Sequence, residues 1–316
     1  MKKTISRLPD SELDIMLVVW KAGEPVAAPC ILERLERPLT ASALHSYLKR
    51  LEEKGVLFTV ASARTPLSAA FILEPLRLRI PAILLNGCML YDLEKRRILW
   101  YQAVGKEKRR QVIEEEKKAG LTGLLLAVEK TSDGTETLCM ELDPEAGELW
   151  EGYFDLERLE ACLGIRNGFG DRDRTGAVER PMVYGLYMDR EPGRLEQMAK
   201  ALGRTPGLTL DFYKDIYRDS CWCLEIFSGE ASKRSAALRL KKMCGADYLI
   251  GFGDGVNDLP LFEACDEAYA VSNGCEALKE AADRVIRSNL ENGVALFMEE
   301  WEDHAENTDR QSLPFE

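Results

Sequence analysis

The chain has 316 residues, 46% of them hydrophobic and 30% charged, with a formal net charge of −12 and a pI near 5.0. That is enough for two or three compact units with their own cores, and the acidity argues against general affinity for nucleic acid. No apolar run of ~18 residues occurs, so no membrane span is expected, and the basic opening MKKTISRLPDSELD has no apolar stretch of the secretory kind, which predicts a cytoplasmic protein.

Residues 10–22, DSELDIMLVVWKA, read as a helix: Asp10 or Ser11 can cap it, and Leu13, Met16, Leu17 and Trp20 share one face. Gly23 ends it and Pro25 follows. A second short helix is expected over 27–35. A third, capped by Thr40 or Ser42, runs to Lys54, with Leu44, Tyr47, Leu48 and Leu51 inward and Gly55 as its stop. Residues 1–57 hold nine basic and eight acidic side chains, so the acidic excess lies beyond them. Three short helices followed by GVLFTV fit either a plain bundle or the front of a winged helix-turn-helix.

After Gly55 the pattern changes. VLFTVASA is a continuous apolar and β-branched run, as expected of a strand covered on both faces. A helix over 66–74 follows, then strand AILLNG and the strand pair CMLYD and RRILWYQAV. Residues 107–221 alternate helical stretches (107–119, 155–163, 192–202) with strands GLLLAVE, ETLCMEL, PMVYGLYM and LTLDFY, and read as an inserted α/β domain. From 222 the first pattern resumes, with strand WCLEIF, helix 231–244, strand YLIGFGD, helix 257–264, strand EAYAVS, helix 275–282 and strand DRVIRS. The alternation predicts an α/β fold with a doubly wound parallel sheet. The expected organisation is a helical segment over 1–55, a core over 56–106 and 222–302, an insert over 107–221, and a disordered tail over 303–316.

Nine cysteines are scattered with no C-x-x-C pair, and the chain has two histidines, so no structural zinc site is expected. Cys221 and Cys223 fall on one face of a strand and read as buried thiols. The sharpest chemical signal is YLIGFGDGVNDLPLFEAC. An apolar strand ends at Gly253, Asp254 and Gly255, and Asn257 and Asp258 open the next helix. Ligands collect at the carboxyl ends of parallel strands, and two carboxylates with an amide suit Mg²⁺, which takes hard oxygen ligands. Lys233 opens a helix after another strand, where it serves either as a solvated charge or to neutralise a phosphate. Ser62 ends strand LFTVAS as a helix cap or a phosphate ligand, with Arg64 beside it as a second phosphate candidate.

In order along the chain, these stretches resemble the haloacid dehalogenase superfamily, and within it the Cof-type phosphatases with a large α/β cap, over about residues 55–302. FTVASARTP is similar to the second motif, with Ser62 as the phosphate-binding hydroxyl. LLNGCMLYD is similar to the stretch leading into the cap. Lys233 matches the third motif, and GFGDGVNDLPLF the fourth, with Asp254 as metal ligand and Asn257 and Asp258 supporting it; AYAVSNGCEALKEAADRVIRSNLENGVALF resembles the family's tail. The resemblance implies a doubly wound core, Mg²⁺ as cofactor, a phosphorylated small molecule as ligand, and Lys233 and Asp258 in the catalytic machinery. A second resemblance, over residues 7–57, is to the DNA-binding half of the penicillinase-repressor family, in which Thr40, Ser42, His45, Ser46 and Lys49 would face DNA. The basic wing and dimerisation segment of those repressors are absent.

The phosphatases open with a strand ending in D-x-D-G-T, whose first Asp is the nucleophile and whose second is the general acid/base. Residues 1–60 contain no D-x-D, and its loss implies a fall of about 10⁶-fold in kcat. It also implies that strands LFTVAS and LIGFGD lose a shared neighbour. Three functions stay open: a regulator that couples a catalytically impaired phosphatase domain to DNA, an active Mg²⁺-dependent phosphatase of small phosphorylated metabolites, and a recombined chain with neither activity.

Overall fold

A computed structural model of the chain describes residues 56–73, 78–141, 150, 166–167, 180–215, 221–291, 293–294 and 296–298. The three expected N-terminal helices with Thr40, Ser42, His45, Ser46 and Lys49, the helix at 155–163 and the tail from 303 lie outside these residues. The described residues form two compact units. The first falls within Met1–Ala63, Ser68–Ile83 and Lys233–Glu316, and the second within Arg64–Leu67 and Leu84–Ser232.

In the first unit, residues 58–62 are buried, but their regular pairing is short. Ala61 bridges Ile83 in parallel, and Ser62 N–H donates to Ile83 O while Ile83 N–H donates to Val60 O. Helix α1 (Pro66–Leu73) lies between these pairing partners in the chain, and Ile83 belongs to strand β1 (Ala82–Leu84). The rest of the unit alternates as expected. Helix α4 (Lys233–Cys244) leads to β10 (Ile250–Gly253), α5 (Leu259–Phe262), β11 (Glu267–Val271), α6 (Glu276–Ala281) and β12 (Arg284–Ile286). The three strands run parallel in the order β10-β11-β12, with Phe252 beside Tyr269 and Ala270 beside Val285. Among the described residues β10 is an edge strand of this sheet. The expected helix over 257–264 divides into a 3₁₀ turn, Val256–Asp258, and α5. Pro260 explains the late start, because a residue without an N–H fits only the first helical turn. The rings of Phe252, Tyr269 and Phe297 pack with centroids 4.3–5.6 Å apart.

The second unit holds a hairpin, β2 (Met89–Asp92) with β3 (Arg97–Tyr101), and a six-stranded sheet. The sheet order is β6-β5-β4-β7-β9-β8, from β4 (Gly123–Lys130), β5 (Glu136–Glu141), β6 (Arg166–Asn167), β7 (Met182–Asp189), β8 (Leu208–Lys214) and β9 (Trp222–Ser228). The sequence reading assigned 222–228 to the parallel core. Instead β9 pairs antiparallel with β7 and β8 along its whole length, so the inserted unit extends to Ser232. An alternating apolar strand reads the same in either sheet, and only its partners tell them apart.

Two helices cover one face of this sheet. Helix α2 (Lys106–Ala119) turns Val112 and Ile113 inward and ends at Gly120, whose left-handed φ of 61° lets its N–H reach the carbonyls of Glu116 and Lys117. Helix α3 (Pro192–Leu202) starts on a proline and buries Leu195, Met198 and Leu202. These side chains share a core with Leu125, Met182, Tyr187, Leu224 and Ile226. Arg109 is fully buried on α2. It donates to Glu141 Oε2 at 2.7 Å and to the Arg180 carbonyl at 2.6 Å, while Arg180 reaches Glu141 Oε1 at 3.3 Å.

Two predictions test this packing. A Cβ at Gly123 would sit 2.3 Å from the ring of Tyr187, which is buried and donates to Glu116 at 3.0 Å. Gly123→Ala is expected to lose about 1–3 kcal/mol of stability through overpacking, read by urea unfolding. In the first unit Asp266 Oδ2 accepts from Lys241 Nζ at 2.6 Å and from Leu249 N–H at 2.7 Å. The Lys241 hydrogen bond, outweighing the opposing desolvation, holds this carboxyl below its ordinary value. Such a group stabilises the fold fully above its unfolded pKa, about 3.9, and loses that contribution as pH falls through the lowered folded value. Asp266→Asn is therefore expected to flatten the acid limb of a stability-against-pH curve below about pH 4.

Candidate functional site

The strand-turn-helix from β10 to α5 gathers the predicted residues of the fourth motif at one end of the parallel sheet. Strand β10 is buried from Gly251 onward, and Asp254 follows it, 7% exposed. The chain then tightens through Gly255 into the 3₁₀ turn, which returns Asp258, fully buried, beneath the loop. Asp258 Oδ2 accepts from the N–H of Asp254 at 3.0 Å and of Gly255 at 3.2 Å. Its Oδ1 accepts from Lys233 Nζ at 2.8 Å. Lys233 is the first residue of α4 and is 1% exposed.

Glycines permit this approach. A Cβ at Gly253 would lie 2.8 Å from Asp258 Cβ and Oδ2, and one at Gly255 would lie 2.7 Å from Asn257 Oδ1. The loop after β11 closes on the same strand end. Cys275 N–H donates to Asp254 O at 2.9 Å, and a Cβ at Gly274 would sit 3.2 Å from the Asp254 Cα and carbonyl.

The geometry separates the two aspartates that the spacing treats as equivalent. Asp258, expected as a metal ligand, has donors on both oxygens and acts as the clasp that holds Lys233 and the Asp254–Gly255 backbone. Asp254 sits on the strand end itself. Among the described residues the side chain at the strand end is the Asp254 carboxylate, a hard oxygen donor of the kind that suits Mg²⁺. Asn257 is exposed on the 3₁₀ turn. Ser62 belongs to the same unit and is 1% exposed at the end of the Val60–Ile83 pairing. Arg64 falls in the other unit, where its carbonyl accepts from Leu85 N–H. The hydrogen bonds thus join Lys233, Asp254, Gly255 and Asp258. The Asp258 clasp was not foreseen, because spacing alone does not say which carboxylate turns inward.

Comparison with known proteins fits this geometry. The sequence profile of the haloacid dehalogenase-like hydrolases matches residues 39–153 and 169–298. The match begins ahead of Thr40, Ser42, His45, Ser46 and Lys49, so the helix read as DNA-contacting aligns with the hydrolase family, and the repressor reading gains no support from it. Similar proteins include the 5-amino-6-(5-phospho-D-ribitylamino)uracil phosphatase YwtE of Bacillus subtilis, 24% identical over 80% of this chain and 88% of its own length. The pyridoxal phosphate phosphatase YbhA of Escherichia coli is 23% identical over 79% of this chain and 88% of its own. Among solved structures, TM0651 of Thermotoga maritima superposes with a TM-score of 0.59 at 19% identity, covering 81% of this chain and 89% of that one. A haloacid dehalogenase-like hydrolase from B. subtilis gives 0.57 at 21% identity, covering 80% and 90%. The buried Lys233–Asp258 clasp beneath Asp254 thus sits within an α/β fold shared with these hydrolases, and the chain belongs to the haloacid dehalogenase-like hydrolase family.

Proposed function

We propose that the chain is a Mg²⁺-dependent phosphohydrolase that acts in the cytoplasm on a small phosphorylated metabolite. The observation that carries this reading is the buried ion pair of Lys233 and Asp258, which sets a cation beside the Asp254 strand end. In this reading Asp254 holds Mg²⁺, and Asp258 orients Lys233 and the two amides around it. Lys233 neutralises phosphate charge, helped by the Ser62 hydroxyl and Asn257 of the same unit. When bound, Mg²⁺ supplies further positive charge to the phosphate oxygens. The reaction class is supported by the family and by relatives named for dephosphorylating small molecules.

A second reading rests on the missing D-x-D in residues 1–60. Without that nucleophile the same residues would bind a phosphorylated metabolite without turning it over, and residues 1–55 would pass the signal to DNA.

Release of phosphate from p-nitrophenyl phosphate and pyridoxal phosphate, with and without Mg²⁺, separates the two. The first reading expects Mg²⁺-dependent release that falls by about 10²–10³-fold in Asp254→Asn. Saturable binding of these compounds with no release favours the second, and neither binding nor release removes both. The clasp itself is tested by stability. Lys233→Met leaves Asp258 buried without its cation and is expected to cost about 3–5 kcal/mol, whereas Lys233→Met with Asp258→Asn, whose uncharged amide oxygen can still accept from the Asp254 and Gly255 N–H groups, costs much less. Equal losses in the two variants would show that the pair carries no such charge coupling.

A further inference from the structure

In the second unit, the β8–β9 hairpin brings together three groups that no local motif joins. Strands β8 and β9 pair from Leu208↔Ser228 to Lys214↔Trp222, and the next step is closed by Asp215 N–H donating to Cys221 O at 2.8 Å. Side chains alternate across the sheet. Phe212, Trp222, Leu224 and Ile226 join the core beneath the helices, and the rings of Phe212 and Trp222 stack 5.3 Å apart. Asp215, Cys221 and Cys223 have the opposite parity and share the other face. One carboxylate oxygen and the two sulfurs all lie within 4.8 Å of one another. Both cysteines are buried and Asp215 is half-buried.

From this we infer that Asp215, Cys221 and Cys223 form a binding site for a thiophilic divalent cation of the Zn²⁺ class, clipping the loop end of the β8–β9 hairpin. Two thiolates select zinc-like ions over Mg²⁺ or Ca²⁺, and a carboxylate as third ligand disfavours Cu⁺. Tetrahedral zinc, with Zn–S bonds of about 2.3 Å, sets its sulfurs about 3.8 Å apart, so the trio closes by roughly an ångström or less to take the ion. As the two metal–sulfur bonds form, each thiol gives up its proton to solvent, and the carboxylate binds as the anion. Three protein ligands leave the fourth position to water. The pairing of Asp215 with Cys221 places the ligands on both strands, so the ion ties two chain segments together, as a structural clip does. The sequence pattern pointed away from zinc because it lacks a C-x-x-C pair; the third ligand comes from the facing strand instead.

The test is a titration of the reduced, chelator-treated full chain with Cd²⁺ in Mg²⁺-containing buffer, followed by the thiolate-to-metal charge-transfer band in the near ultraviolet. Mg²⁺ occupies oxygen sites, and only sulfur ligation produces the band. The expected result is saturation at one Cd²⁺ per chain, with Zn²⁺ displacing the Cd²⁺. The band should disappear in Cys221→Ser/Cys223→Ser. In Asp215→Asn the affinity should drop by at least the roughly 10–100-fold that loss of a supporting partner alone causes. Circular dichroism confirms that each variant is folded, and Asp215→Asn keeps the test decisive if the double variant is not. Absence of a band, or a band that survives the double variant in a folded chain, overturns the site. So does a thiol count that falls by two on aerobic handling and is restored by reductant, which would make the pair a disulfide.

Discussion

The Lys233–Asp258 ion pair is the constraint around which the rim is arranged. An isolated charge in this buried position would cost several kcal/mol, and the pair is tolerable only because geometry and extra hydrogen bonds are supplied. The ammonium takes one oxygen of Asp258, and two successive backbone amides take the other. Lys233 opens α4 and Asp258 closes the turn before α5, so the pair fixes the starts of two helices against the end of β10. Gly253, Gly255 and Gly274 follow from the same demand for closeness, since a side chain at any of them would push against Asp258, Asn257 or the Asp254 backbone.

Much of the fold was legible because long periodic segments carry strong signals. Helix 192–202 appears with the expected bounds, and the strand-helix order from 250 to 286 is the one the apolar runs predict. Two features were not legible. Strand β9 has the same alternation whether it continues a parallel core or closes an antiparallel insert, and its assignment depends on β7 and β8, far away in sequence. Arg109 looks like one more charge on a polar helix, KEKRRQVIEEEKKA, yet it is fully buried against Glu141. Helical spacing places it on the inward face with Val112, Ile113 and Glu116, but it does not reveal that a carboxylate waits there.

The candidate site was legible in part for a related reason. GDGVND gives the residue types and their spacing, and the carboxylates do gather at a strand end. Direction is the missing quantity, because it depends on which oxygen meets Lys233, 25 residues away. The cysteines show the same limit. Two thiols two residues apart are visible in the sequence, whereas the carboxylate that joins them comes from across a hairpin. In both places sequence identifies the donors, and tertiary pairing decides what they do together.

The buried guanidinium of Arg109 has a bearing on how the second unit assembles. Helix α2 can seat on its sheet only if that charge is met, and the charge is met by Glu141 on β5 and by the carbonyl of Arg180 just before β7. The β4–β5 hairpin is local in the chain, with Thr131 and Thr135 hydrogen-bonded across its turn. A helix that docked before the hairpin had presented Glu141 would bury an uncompensated cation at a cost of several kcal/mol. The electrostatics of one side chain therefore couple the seating of the helix to the hairpin that carries Glu141. A helix laid down on another register of the sheet would leave the guanidinium without that carboxylate, so the pair favours the register observed.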